Sequence, residues 1–303
     1  MVEEKELEIL HEIGKITVEA LLKTKEQIKP GAKLLDVANT AENFLRENGY
    51  GLSFPINLSI NEQAAHYTPS LNDEKVFSEN DLVKVDFGAE KNGLLGDGAI
   101  TIDLSSNNQK LVDAAGKALE NAISSVRTGV SVSTIGKVIG NTIEEAGFKP
   151  VRNLGGHELH THDLHAGLFI PNYDNLDQTK LEEGMVIAIE PFVTNGKGLV
   201  VNSDIFEIYG YVTTTNIRSN DARMLLQEIE SKYNSEPFAV RWLSNIIDSK
   251  FRLYAAIGEL MRAGSIEPYP TLVEANKGLI SQAEAQLVVE KDSCRVLTKV
   301  EYG

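Results

Sequence analysis

The 303-residue chain holds a single cysteine, Cys294, so no intrachain disulfide can form. A lone thiol reads as a small buried residue rather than a nucleophile, because cysteine catalysis also needs a base beside it. With no disulfide framework, a cytoplasmic location is the default expectation. No apolar run approaches the roughly 20 residues of a spanning helix, so no membrane segment is expected. The first ten residues, MVEEKELEIL, lack the basic-then-apolar layout of a secretory signal. Positive charge is scarce as well. Lys and Arg number 29 against 44 Asp and Glu, a formal charge of −15. That excess repels nucleic acid and argues against direct DNA or RNA binding. Three catalytic signatures are missing: HExxH for a zincin, GxSxG for a nucleophile elbow, and GxxxxGK[ST] for a phosphate loop. Ser/Gly linkers and low-complexity tracts are absent too.

What the chain does have is a repeated helical text. Leu7, Leu10, Ile13, Ile16, Ala20 and Leu21 mark one apolar face over residues 3–27, ended by Pro30-Gly31. A second helix is expected over 34–48, stopped by Gly49. Two more are expected over 110–126 and 132–146. Residues 28–50 align with 126–148 without a gap, setting Gly31 on Gly129, Val37 on Ile135, Leu45 on Ile143, Gly49 on Gly147 and Tyr50 on Phe148. Matching glycines at both helix ends point to matched backbone geometry. The spacing predicts an internal duplication in an α+β domain, with halves of about 1–105 and 106–303. Two copies are too few for a solenoid, so a site between pseudo-symmetric halves is expected.

Strand-like text follows each helix pair: 56–60, 82–89 and 94–104 in the first half, 166–170 and 185–193 in the second. The partner of 185–193 is delayed. Strand text at 199–214 leads into helical text at 218–232 and 249–263, with a short helical piece at 238–246. Strands resume at 278–290 and 294–299. A helical insertion over 215–268 is therefore expected, leaving 1–214 and 269–303 as the main unit.

Four carboxylates interrupt the apolar strands: Asp86 in LVKVDFG, Asp97 in LLGDGAITI, Glu190 in MVIAIEPF and Glu284 in LISQAEAQLVV. A buried carboxylate is costly unless it is paired or binds a metal. Asp86 and Asp97 flank a turn at Lys91-Asn92-Gly93. The duplication predicts that Glu190 and Glu284 take the corresponding places in the second half. Four converging negative charges need cations, and two divalent ions are the usual solution. Five of the six histidines lie in two segments: His66 in NEQAAHYTPS, and His157, His160, His162 and His165 in NLGGHELHTHDLHAGLFIPN. One imidazole among oxygens suits Mn, Fe, Co or Zn. Spacing alone does not choose among the four clustered histidines.

Taken in order, FPINLSINEQAAHYTPS, VDFG…GLLGDGAITI, NLGGHELHTHDLHAGLFIPN, IAIEPF and SQAEAQLVVEKDS resemble the motifs of the methionine aminopeptidases, most closely the archaeal type 2 branch, over nearly the whole chain. The resemblance implies a pseudo-twofold pita-bread fold and two divalent metal ions (Co, Mn, Fe or Zn). It places the metal ligands on Asp86, Asp97, His157, Glu190 and Glu284, with Asp97 and Glu284 shared by both ions. His66 and His165 become catalytic, non-ligand histidines, and Glu190 a proton relay. Phe54, Leu164 and Phe192 become the walls of the methionine pocket. The implied substrates are N-termini of nascent polypeptides with a small second residue, and the implied state is a monomer. The bland expectation for the insertion is packing beside the catalytic unit, with ribosome docking as the other role weighed. Two alternatives stand beside this reading. One is a prolidase-like Xaa-Pro peptidase, against which the helix beginning at residue 3 leaves no room for the usual extra N-terminal domain. The other is a catalytically silent binding protein. The sequence departs from the family at Gly98, where a Thr or similar residue normally follows the second Asp. It departs again at Ala283, normally aromatic, and at Ala285-Gln286, normally His-Thr.

Overall fold

A computed structural model describes residues 4–233 and 236–300. Residue 3, where the first helix is expected to start, lies outside the described residues, as do 234–235 in the expected insertion and 301–303. Four helices stand where the apolar spacing puts them: α1 Glu4–Gln27, α2 Leu34–Glu47, α3 Gln109–Ser125 and α4 Val132–Glu145. Each buries its apolar stripe, at roughly 1.5–3 kcal/mol for a fully buried Leu or Ile side chain. The stripes of α1 and α2 share one core with the strands Asn57–Ile60 and Leu82–Asp86. Those of α3 and α4 share another with Val186–Ile189 and Ala285–Val289.

The duplication is visible in backbone detail. Gly31 and Gly129 have φ of 86° and 82°, and Gly49 and Gly147 both have 84°, a left-handed conformation that strongly favours glycine. The amide N–H groups of Gly31 and Gly129 donate to Phe77 O and Leu181 O, each at 2.8 Å. Those of Leu34 and Val132 donate to Lys75 O (3.0 Å) and Thr179 O (2.9 Å). Those of Ser53 and Val151 donate to Gly88 O (3.0 Å) and Phe192 O (2.9 Å). Lys75, Phe77 and Gly88 thus correspond to Thr179, Leu181 and Phe192. The same constant spacing sets Asp86 on Glu190.

The third strand of each half corrects one expectation. Val85 pairs with Ile100, and its counterpart Ile189 pairs with Ala285. Counting back from these pairs, Glu284 corresponds to Ala99, whereas the counterpart of Asp97 is Gln282. The two carboxylates are therefore offset by two residues. A two-residue shift leaves a side chain on the same face of a strand, so both still aim at one site. The halves are joined there: the Glu284 N–H donates to Ala99 O at 3.1 Å, and the Thr101 hydroxyl donates to Gln282 O at 2.7 Å.

Strand Gly155–Glu158, which pairs His157 with Ala188, was not expected from the sequence, and the strand expected at 166–170 lies at Phe169–Pro171. The strands Ile208–Tyr211 and Ile266–Tyr269 pair antiparallel. Between them lie α5 (Asn220–Lys232), strand Phe238–Ala239, a 3₁₀ turn at Val240–Leu243 and α6 (Lys250–Arg262). The helical piece expected at 238–246 is therefore a short strand and a 3₁₀ turn. This segment has its own core, centred on Leu225, Ile229, Phe238, Leu253 and Leu260. Among the described residues, no helix is long and apolar enough to cross a membrane.

Candidate metal centre

Four of the sequence-predicted donors sit at or beside a strand end, and His157 lies within a strand. Asp86 closes Leu82–Asp86, and Asp97 precedes Ala99–Asp103. His157 lies inside Gly155–Glu158, and Glu190 follows Val186–Ile189. Glu284 lies between Ile280–Gln282 and Ala285–Val289. Paired strands from both halves end on one another, so the five side chains converge. His157 Nε2 is 3.4 Å from Asp97 Oδ2 and 3.6 Å from Glu190 Oε1. The amide of Gln282, the counterpart of Asp97, donates to Asp86 Oδ2 (3.1 Å), Glu284 Oε2 (3.2 Å) and Glu190 Oε2 (3.5 Å). Asp97, His157 and Glu284 place one donor atom each within 4.8 Å of one another.

Burial makes this concentration of charge severe. Asp97 and Glu284 are each 3 % exposed. Desolvation, and then the negative charge of Asp97, push the carboxyls of Asp86, Glu190 and Glu284 well above the usual range. Protein hydrogen bonds leave part of the donor set unsatisfied: Asp86 Oδ1 and His157 Nδ1 are buried without a partner among the described residues. Four carboxylates, one imidazole and an orphaned buried oxygen fit hard or borderline divalent cations.

The donors line a cavity of about 360 Å³. His66, His165, Phe54, Leu164 and Phe192 line it as well, whereas His160 and His162 stand outside it, against Glu158 and Glu236. Asn57, Ile208, Pro237 and Tyr269 line it too and were not foreseen. His66 adopts a left-handed backbone (φ 64°), and its N–H donates to Asn57 Oδ1. Its ring Nδ1 lies 3.2 Å from Pro270 O. A carbonyl can only accept, so Nδ1 carries the proton and Nε2 keeps a free lone pair. Burial lowers the His66 pKa and keeps the ring neutral. His165 tilts over His157 at 4.4 Å between ring centroids. Desolvation, followed by the neighbouring His157 and His66, lowers it to about 3, although it is reachable from the cavity mouth.

The sites of departure from the family have structural partners. A Cβ at Gly98 would meet Thr298 Oγ1 at 3.3 Å. Thr298 fills that space and donates its hydroxyl to Asp97 O at 2.5 Å. Gln286 is fully buried, accepts the Asp97 N–H at 3.2 Å and donates to Leu95 O at 2.8 Å. Both backbone polar groups of Asp97 are thus held by side chains from the end of the chain. Ala283 and Ala285 are fully buried in the second core. Thr298→Val and Gln286→Leu are each expected to weaken metal binding about 10–100-fold, as changes behind a ligand commonly do. Calorimetric titration with Mn or Co measures this, and parent-like affinity in both variants would refute the brace.

The family model for metallopeptidase family M24 matches residues 8–217. The methionine aminopeptidase of Archaeoglobus fulgidus is 46% identical over 292 residues, covering 96% of this chain and 98% of its own length. Among solved structures, a thermophilic Arx1 superposes with a TM-score of 0.85 at 15% identity, covering 100% of this chain and 93% of that one. A methionine aminopeptidase from Thermotoga maritima superposes with a TM-score of 0.72 at 23% identity, covering 99% and 98%. At those identities the structural likeness speaks for the fold alone. The sequence relationship goes further: the chain belongs to metallopeptidase family M24 and, within it, to the methionine aminopeptidases.

Proposed function

We propose that the protein is a metal-dependent aminopeptidase that removes the N-terminal methionine from nascent proteins and peptides, preferably when the second residue is small. The observation that carries this reading is the convergence of four carboxylates and one imidazole on the wall of a largely apolar cavity. Asp86, Asp97, His157, Glu190 and Glu284 would hold two divalent ions per chain, with Asp97 and Glu284 serving both. Co, Mn, Fe and Zn are the candidates. Bound divalent ions supply a water of lowered pKa and polarise a carbonyl oxygen. Phe54, Leu164 and Phe192 receive the unbranched thioether. His66 Nε2, with its lone pair free, accepts the N–H of the scissile amide and orients it. His165, held neutral, offers a ring N–H to the developing oxyanion. Glu190 carries a proton to the leaving amine. The same reading divides the chain into a catalytic unit, 1–214 with 269–303, and an insertion, 215–268. It makes the protein a cytoplasmic monomer whose insertion packs beside the catalytic unit or docks on the ribosome.

The direct test strips the protein of metal, reloads it with Co or Mn, and offers Met-Ala-Ser and an Ala-Pro peptide. Metal-dependent release of methionine from the first alone supports the proposal. Cleavage before proline moves the chain to the prolidases, and no release despite bound metal makes it a silent binding protein. His66→Ala is expected to slow methionine release at least about tenfold, the scale of one lost orienting contact, with metal content unchanged. Loss of metal in that variant would overturn its non-ligand role.

A further inference from the structure

The catalytic role of His66 depends on the aim of one ring nitrogen. That aim is set largely by the segment between strands Ile208–Tyr211 and Ile266–Tyr269 and the chain that returns from it. Pro270 O accepts from the ring, Tyr269 meets it edge-on at 5.7 Å between centroids, and the Thr271 hydroxyl donates to His66 O at 3.3 Å. A further hold comes from deeper in the segment. Arg241, in the 3₁₀ turn, is only 6 % exposed although it is an arginine. One guanidinium nitrogen donates to the Thr68 hydroxyl at 2.7 Å and to Pro69 O at 3.1 Å. The other is paired with Glu42 of α2, a carboxylate 1 % exposed. Glu42 also accepts from the Trp242 indole at 2.6 Å and from the Ile56 N–H at 3.3 Å.

This is a built connection. A buried ion pair costs desolvation, which offsets most of what its attraction adds to stability. Here the pair holds a planar fork against residues 68–69, two positions beyond a histidine whose backbone is already in an unfavourable conformation. Tyr67 O, between the two, accepts from the Leu58 N–H at 2.7 Å, and on the other side of His66 the strand Gln63–Ala65 pairs with Leu272–Glu274. His66 thus sits on a short span clamped at both ends, and one clamp belongs to the helical segment.

We propose that Arg241, locked by Glu42, is a positioning residue that aims His66 Nε2 at the scissile amide through Thr68 and Pro69, so that the helical segment acts on amide cleavage. The inference rests on the His66 role proposed above. It identifies the helical segment as a catalytic support and gives it a measurable signature. An ester of methionine has no amide N–H for Nε2 to accept, so misdirected His66 should cost amide hydrolysis and spare ester hydrolysis. A loosened cavity would slow both.

The experiment compares Met-Ala-Ser with a methionine alkyl ester in the metal-loaded parent, His66→Ala, the pair-replaced variant Glu42→Gln/Arg241→Met, and its combination with His66→Ala. Thr68→Val is the milder second variant, since it leaves the Glu42–Arg241 pair intact. The expected result is a drop in kcat for the amide of about 10–100-fold in the pair-replaced variant and less in Thr68→Val, with ester kcat within about twofold and metal content unchanged. The pair replacement should add nothing once His66 is Ala. Equal losses on amide and ester, or losses that multiply in the His66→Ala background, overturn the inference. If His66→Ala itself fails to separate the two substrates, the reading of His66 falls and takes the inference with it.

Discussion

Glu284→Gln, loaded with metal and assayed on Met-Ala-Ser, is expected to lose about a thousandfold in kcat while its metal-free form melts higher than the parent at neutral pH. Both halves of the result come from one substitution. Glutamine keeps the shape of the side chain but replaces a charge with an amide. In the metal-free protein this relieves repulsion. The Glu284 carboxyl is pushed well above the ordinary range by burial, then by Asp97, Glu190 and Asp86, and it shares a hydrogen bond with Asp97. In the loaded enzyme the same change would remove a proposed metal ligand, and bound divalent metal supplies several kcal/mol of transition-state stabilisation. A loss of about 4 kcal/mol corresponds to the thousandfold. Asp97→Asn should behave alike. A gain in stability together with a loss of activity marks a site strained for function. Parent-like turnover in either variant would refute the ligand assignment, and lower stability of the metal-free form would refute the electrostatic argument.

The second large effect is a reversal of pH dependence by metal. In the metal-free protein, Asp86, Glu190 and Glu284 have raised pKa values, so the folded state holds protons that the unfolded state has released. Their contribution is fully present below the unfolded carboxylate pKa of about 4 and is lost as pH rises through the raised folded values. The metal-free form should therefore lose stability from acidic toward neutral pH. Metal binding runs the other way, because ligands must shed their protons first. At a hundredfold excess over Kd the stabilisation is about 2.7 kcal/mol, or roughly 4 °C in Tm for a chain of this size. Scanning calorimetry with and without Mn or Co between about pH 5 and 8 should give a gap that widens with pH. Titration in buffers of different ionisation heat should reveal proton release on binding. A gap independent of pH would mean that the carboxylates are not the ligands.

Much of this site could be read from the sequence because charged residues in apolar strands announce themselves. Asp86, Asp97, Glu190 and Glu284 break an alternating pattern at positions where burial would otherwise be costly. The helix pairs were legible because glycine marks left-handed backbone at both ends of each copy. His157 was harder. It lies in a strand of Gly-Gly-His-Glu, a composition depleted in strand formers, so no periodicity pointed to it. Only the family resemblance separated it from His160, His162 and His165. The registration of Glu284 against Ala99, rather than Asp97, depends on turn geometry that residue types do not specify. Gln282, Gln286 and Thr298 escaped because a neutral amide or hydroxyl in a strand is unremarkable until its partner is known. Arg241 escaped for a different reason: its burial is imposed by Glu42, roughly 200 residues earlier.

The ring of contacts around Asp97 also sets an order in time. Its two backbone braces and the carboxylate that faces it, Gln286, Thr298 and Glu284, come from the last 20 residues of the sequence. A ribosome emits roughly 5–20 residues per second, so Asp86 and Asp97 wait about 10–40 s for the groups that complete their site. During synthesis the leading half is a clasp without its catch. A chain of this design has no complete centre until the strand that carries Gln286 has left the ribosome.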